Sequence, residues 1–97
     1  MALEVLWTDE ALDQLDEITR HLGIQWGQKE INRFFQRLED SITAISENPH
    51  TYKNSLRRPG TKEFLHSPQT TIFYSYDDQF IYVMLIWANR RDLSKLD

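Results

Sequence analysis

Two runs of residues, TTIFYSY at 70–76 and FIYVMLIW at 80–87, constrain this chain more than any other feature. Both are dense in β-branched and aromatic side chains, which suit the pleated, half-buried surface of a strand. Only Asp77, Asp78 and Gln79 separate them, so the pair predicts a β-hairpin with a three-residue loop. KEFLH at 62–66 reads as a further short strand, closed by Ser67-Pro68. At the other end of the chain, ALEVLW sets Leu3, Val5 and Trp7 in alternation with Glu4, the period of a strand.

Between these strands the apolar period changes from two to that of a helix. Ala11, Leu15, Ile18 and Leu22 recur at steps of four, three and four, which is one helical face. Thr8 is placed to cap that helix, and Asp9 and Glu10 fall in its first turn, where the helix dipole favours acids. The predicted first helix spans about 9–22, with Gly23 as its stop. Ile31, Phe34, Phe35, Leu38, Ile42 and Ile45 mark the apolar side of a second helix, opposite Asn32, Arg33, Gln36, Arg37, Glu39 and Asp40. It ends at Asn48-Pro49, because a residue before proline resists helical geometry. The short joint around Gly23 to Gly27 makes the helices an antiparallel hairpin. The resulting order is β-α-α-β-β-β, an α+β layer in which a helical hairpin covers a small, mostly antiparallel sheet.

With 97 residues, 40% of them hydrophobic and 27% charged, the chain reads as one globular domain, 1–97, with a single core. It has no cysteine, so disulfides and thiolate metal sites are excluded. The N-terminus is too short and polar for a signal peptide, and no apolar run approaches the ~20 residues of a membrane helix. A cytoplasmic location without membrane contact is expected. The net charge of −4 opposes indiscriminate nucleic-acid binding. The charge is uneven, however. Residues 1–20 carry six acids against Arg20, whereas KNSLRRPGTK at 53–62 carries Lys53, Arg57, Arg58 and Lys62 with no acid, an expected local basic site.

His21 and His50 are expected to be solvated, one near a helix end and the other in a loop. His66 closes a strand near Lys62 and Arg58. As a residue that titrates near neutrality it is the candidate general base; its simpler reading is a surface strand histidine. No metal-ligand spacing and no glycine-rich phosphate loop is present, so neither metal nor cofactor is expected, and RRPG is a turn signal. The aromatics Phe73, Tyr74, Tyr76, Phe80, Tyr82 and Trp87 pose a choice between core packing and a stacking platform for single-stranded RNA. Asn89, Arg90 and Arg91 follow the last strand, where guanidinium forks suit either phosphate or carboxylate.

Taken together, VLWTDEALDQLDEI, the second helix ending in ISENPH, the basic loop, and KEFL followed by IFYSYDDQFIYVMLIWANRRDL resemble the RelE/ParE superfamily of toxins from type II toxin–antitoxin systems. The likeness covers nearly the whole chain and implies a small antiparallel sheet packed by a helical hairpin. It also implies two alternative activities. RelE-like members are ribosome-dependent mRNA endonucleases; ParE-like members poison DNA gyrase. In both branches a cognate antitoxin wraps the toxin, so a toxin–antitoxin hetero-oligomer or a homodimer is the implied assembly.

Position by position, Lys62 stands where many members have a basic residue opening a strand. Tyr74 matches an aromatic that ends a family pattern, and Arg90 and Arg91 match the terminal arginine pair. Thr71 stands where that pattern has arginine, and Ala88 where many members have histidine. Cleavage of RNA by general acid–base chemistry needs both a base for the 2′-hydroxyl and an acid for the leaving oxygen. Only His66 is left to supply one of them, with Tyr74 as the other candidate catalytic residue. The expected function is therefore that of a ParE-like toxin that inhibits an essential target without hydrolysis. A nuclease is the alternative, and a toxin retaining only antitoxin binding is the third reading. Arg57, Arg58, Lys62, Asn89, Arg90 and Arg91 are the expected contacts for target or antitoxin.

Overall fold

The computed structural model describes residues 2–67 and 70–88. The elements run β1 (Glu4–Trp7), α1 (Asp9–Gln25), α2 (Gln28–Glu47), β2 (Lys53–Asn54), β3 (Lys62–Ser67), β4 (Thr70–Tyr76) and β5 (Phe80–Ala88). They form an α+β fold in which five strands lie in the order β1-β5-β4-β3-β2. β1 runs parallel to β5, with Val5 beside Ile81, and every other pairing is antiparallel. The N-terminal strand is thus an outer strand beside the last one, which the order of elements alone did not reveal. The two-residue β2 is too short to show any alternation in sequence.

The expected hairpin is present, and Asp77 fixes it. Its Oδ1 accepts the backbone N–H groups of Gln79 and Phe80 at 2.8 and 2.9 Å, while Oδ2 accepts the Tyr82 hydroxyl at 2.8 Å. These bonds hold the Asp77 carboxyl below its usual range. A side chain satisfying its own turn's donors is why aspartate suits this position.

Thr8 caps α1 as expected, its hydroxyl accepting the Ala11 N–H at 3.1 Å. Gly23 does not end the helix, which continues to Gln25. A Cβ at Gly23 would meet Ile31 of α2 at 3.7 Å, an ordinary contact, so the helices approach there without needing a break. The stop comes instead at Trp26-Gly27, where the Gly27 carbonyl accepts the Glu30 and Ile31 N–H groups and α2 begins. The second helix ends at Glu47, with Asn48 as its C-cap.

Ala11 and Ile18 of α1 and Leu38 and Ile45 of α2 pack against Ile72, Tyr74, Ile81, Val83 and Ile86 of the sheet, forming the core. Phe34 is partly buried against it, whereas Phe35 is exposed despite its place on the apolar side of α2. Each fully buried Ile or Val here contributes roughly 1.5–3 kcal/mol relative to exposure. Two bulges interrupt the ladders. Met84 is the extra residue between the Tyr74–Val83 and Phe73–Leu85 pairs, and His66 the extra one between Leu65–Thr71 and Ser67–Thr70. A bulge re-aims the side chains around it, and His66 owes its direction to one.

Candidate functional site

The candidate residues divide between the two faces of the sheet. His66, Tyr74 and Lys62 belong to the helix-covered side. Tyr74 is fully buried, and its hydroxyl donates to the Pro49 carbonyl at 2.6 Å. Burial, reinforced by neighbouring Tyr52 and Tyr76, pushes its phenol well above the usual value. Lys62 pairs in register with Tyr74. Its ammonium donates to the Tyr52 carbonyl and to Asn54 Oδ1, both at 2.9 Å, which ties β3 to the entry of β2. A shallow cleft opens beside it, with Asn54, Gly60, Lys62, Tyr74 and Tyr76 in its lining.

His66 lies in β3 and is partly buried rather than fully solvated. Its ring meets Phe34 of α2 edge-on at 5.3 Å, and Nδ1 lies 3.1 Å from the Ser41 hydroxyl. Ser41 donates its own proton to the Arg37 carbonyl at 2.9 Å. A hydroxyl has one proton to give, so the imidazole is the donor to Ser41 and carries its lone pair on Nε2. Burial, with the Arg37 charge second, lowers the histidine's affinity for a proton. The residue bridges sheet and helix as a neutral ring. His21 also differs from expectation: it is partly buried, and its Nε2 has no hydrogen-bond partner among the described residues. His50 is exposed, as expected.

The loop 55–61 joins β2 to β3, with Gly60 at the cleft beside Lys62 and Arg57 over Phe73 on the opposite face. Arg58-Pro59-Gly60-Thr61 forms a turn closed by the Thr61 N–H on the Arg58 carbonyl at 3.2 Å, with Gly60 at φ 89°. Proline second and a positive-φ glycine third are the requirements of a type II turn. Ser55 is the knot. Its N–H donates to the Thr61 carbonyl at 2.9 Å, its hydroxyl donates to Glu63 Oε2 at 2.6 Å, and the same oxygen accepts the Arg58 N–H at 2.9 Å.

The two loop arginines are ion-paired, which corrects the expectation of a basic site without acids. Arg57 lies over the Phe73 ring at 5.2 Å and bonds Glu63 Oε1 at 3.3 Å. Arg58 reaches across the fold to Glu10 Oε1 at 3.3 Å. Both acids lie outside the 53–62 stretch, so a local count of charge misses them. The Glu63 side chain is only 9% exposed. Burial opposes its ionisation, but Ser55, Arg57 and Lys53 together outweigh that and hold its carboxyl below the usual range. Arg57 and Arg58 are thus committed to Glu63 and Glu10, and Lys62 to Tyr52 and Asn54, so the stretch is not a set of unpartnered cations. Asn89, Arg90 and Arg91 lie outside the described residues.

The aromatics are mostly structural. Tyr74 and Phe73 are buried on opposite faces, while Tyr76 and Trp87 keep about a third of their surface. Thr71, at the family's arginine position, is buried in β4 between its register partners Leu65 and Trp87. Glu63, Ser55 and Ser41 were not among the residues singled out from sequence. Glu63 carried one signal, an acid placed directly after a basic turn.

The fold is an α+β sheet under a helical hairpin, and no grouping of His, Asp or Glu among the described residues is fit to hold a metal. The model of the family described as ParE toxin of type II toxin–antitoxin system, parDE, matches residues 5–93. The chain belongs to the ParE toxin family. It is also similar to a solved structure from a chromosomal ParDE toxin–antitoxin system of P. aeruginosa. That likeness has a TM-score of 0.78 at 14% identity, covering 92% of this chain and 98% of the other, and it supports the fold. No curated protein matches. Among the described residues no helix is long and apolar enough to cross a membrane.

Proposed function

We propose that this chain is the toxin of a type II toxin–antitoxin pair and arrests growth by binding an essential cytoplasmic target, DNA gyrase being the foremost candidate, rather than by cutting RNA. The observation that carries the non-hydrolytic reading is the position of Tyr74. A general acid must deliver its proton to a leaving oxygen within hydrogen-bond reach. This hydroxyl is buried, raised in pKa and already committed to the Pro49 carbonyl. His66 is held beneath α2 by Phe34 and Ser41, and the Lys62 ammonium has two acceptors of its own. The candidate acid and base are occupied by the fold.

Binding then falls to exposed groups. Among the described residues Arg57 and Arg58 keep unshared guanidinium donors, and in sequence Asn89 and the basic pair Arg90 and Arg91 follow β5. We assign these residues to contacts with the target or the neutralising antitoxin. Inducing the chain in bacteria without its antitoxin tests this directly. Growth should stop with loss of supercoiling in a reporter plasmid while mRNA stays intact. Early mRNA cleavage would restore the nuclease reading.

A further inference from the structure

We propose that the loop 55–61 is a preformed docking element, whose Leu56 side chain enters an apolar pocket rimmed by carboxylates on the folded protein that the toxin attacks. The inference rests on the binding-toxin reading above and names the surface that carries it.

Leu56 is 96% exposed, the most exposed large hydrophobic residue among those described. A single exposed leucine on a surface is ordinary. What distinguishes this one is the rigidity of its support. Ser55, on one side, is buried and makes three hydrogen bonds. Arg57, on the other, is stacked on Phe73 and paired with Glu63. Arg58 is anchored to Glu10, and Thr61 closes the turn. The loop is fixed before any partner arrives, so docking the leucine carries little of the ordering cost that weakens flexible contacts.

The surroundings define the partner. Lys53, Arg57 and Arg58 lie within three residues of the leucine and all keep a third or more of their side-chain surface in water. Three cations against Glu10 and the nearly buried Glu63 leave the exposed surroundings net positive, so the apolar tip complements an apolar pocket edged by Asp or Glu. A lone projecting side chain is desolvated only when it enters a concavity. Concave pockets belong to folded surfaces, whereas an extended segment offers none. The occupant is therefore a folded surface, which on the binding-toxin reading is the target.

Leu56→Ala and Leu56→Asp, matched in cellular level and checked by thermal melting, separate the two. With each variant induced alone, about ten- to a hundred-fold more Leu56→Ala protein should be needed for equal growth arrest. Leu56→Asp should permit normal growth, and both purified variants should bind the cognate antitoxin as the wild type does. If both variants arrest growth like the wild type, the docking role is overturned and the toxin reading stands. If antitoxin affinity falls in step with toxicity, the leucine serves the antitoxin interface and the proposal is equally overturned. If the wild type induced alone leaves growth untouched, the toxin reading itself fails and the docking role with it. Should Leu56→Asp melt early, Leu56→Ala decides.

Discussion

The Thr8 hydroxyl donates to the Met84 carbonyl, 3.0 Å away and 76 residues along the chain, while accepting the Ala11 N–H. One side chain thus starts α1 and satisfies the bulge that interrupts β5. Gln14 continues the arrangement one helical turn later, its Oε1 accepting the Ile86 N–H at 2.9 Å. Thr8→Val keeps the volume but removes these bonds and the hydroxyl's further contact with the Val83 carbonyl at 3.1 Å. It should lower unfolding free energy by about 1–3 kcal/mol in urea titration, from a lost cap and a less satisfied carbonyl. Thr8→Ser should retain most of the stability. A valine variant as stable as the wild type would show that the junction is held by packing alone.

Glu63 should make the loop acid-sensitive. Its carboxyl is held below the ordinary 4.5 in the fold, so the unfolded chain takes up the proton first as pH falls. The stabilisation is complete above that ordinary value and is lost as pH drops through the lowered one. Glu63→Gln should be less stable at neutral pH and lose less on acidification. Parallel stability curves for the two proteins between pH 7 and 3 would contradict the assignment.

His66 acts in the same direction at higher pH. Burial and Arg37 lower its pKa from the ordinary 6.5. Below 6.5 the unfolded chain binds a proton that the folded one refuses, so stability declines until the lowered pKa is reached. Comparing urea midpoints at pH 7.5 and 5.5, the wild type should lose more than His66→Gln. An equal loss would mean that the ring is not confined between Phe34 and Ser41.

Tyr74→Phe separates structure from chemistry. Deleting the hydroxyl leaves the Pro49 carbonyl without its donor and should cost roughly 1–3 kcal/mol. Toxicity at matched soluble protein should be unchanged. A variant that folds normally yet loses toxicity completely would return Tyr74 to a catalytic role.

Much of this fold was legible because its strongest signals are local. The step of three and four through Ala11, Leu15 and Ile18 found α1, and the dense strand residues on either side of Asp77 found the hairpin. What escaped depends on partners far away in sequence. Nothing near Glu4–Trp7 announces a parallel pairing with β5. Nothing in RRPG announces that Arg58 meets Glu10, 48 residues earlier. Gly23 read as a stop because glycine commonly ends helices, yet α1 continues through it to Gln25. The candidate site suffered most from this. Lys62, Tyr74 and His66 were chosen by residue type, and whether such groups are free or occupied is decided by Tyr52, Pro49 and Ser41, which sequence does not place beside them.

The most direct measurement is supercoiling of relaxed plasmid by purified DNA gyrase, titrated with the purified toxin, alongside mRNA integrity on translating ribosomes. Inhibition of gyrase that is relieved by stoichiometric antitoxin, with the mRNA intact, is the expected result. Full supercoiling at saturating toxin, together with cut mRNA, would contradict the binding mechanism.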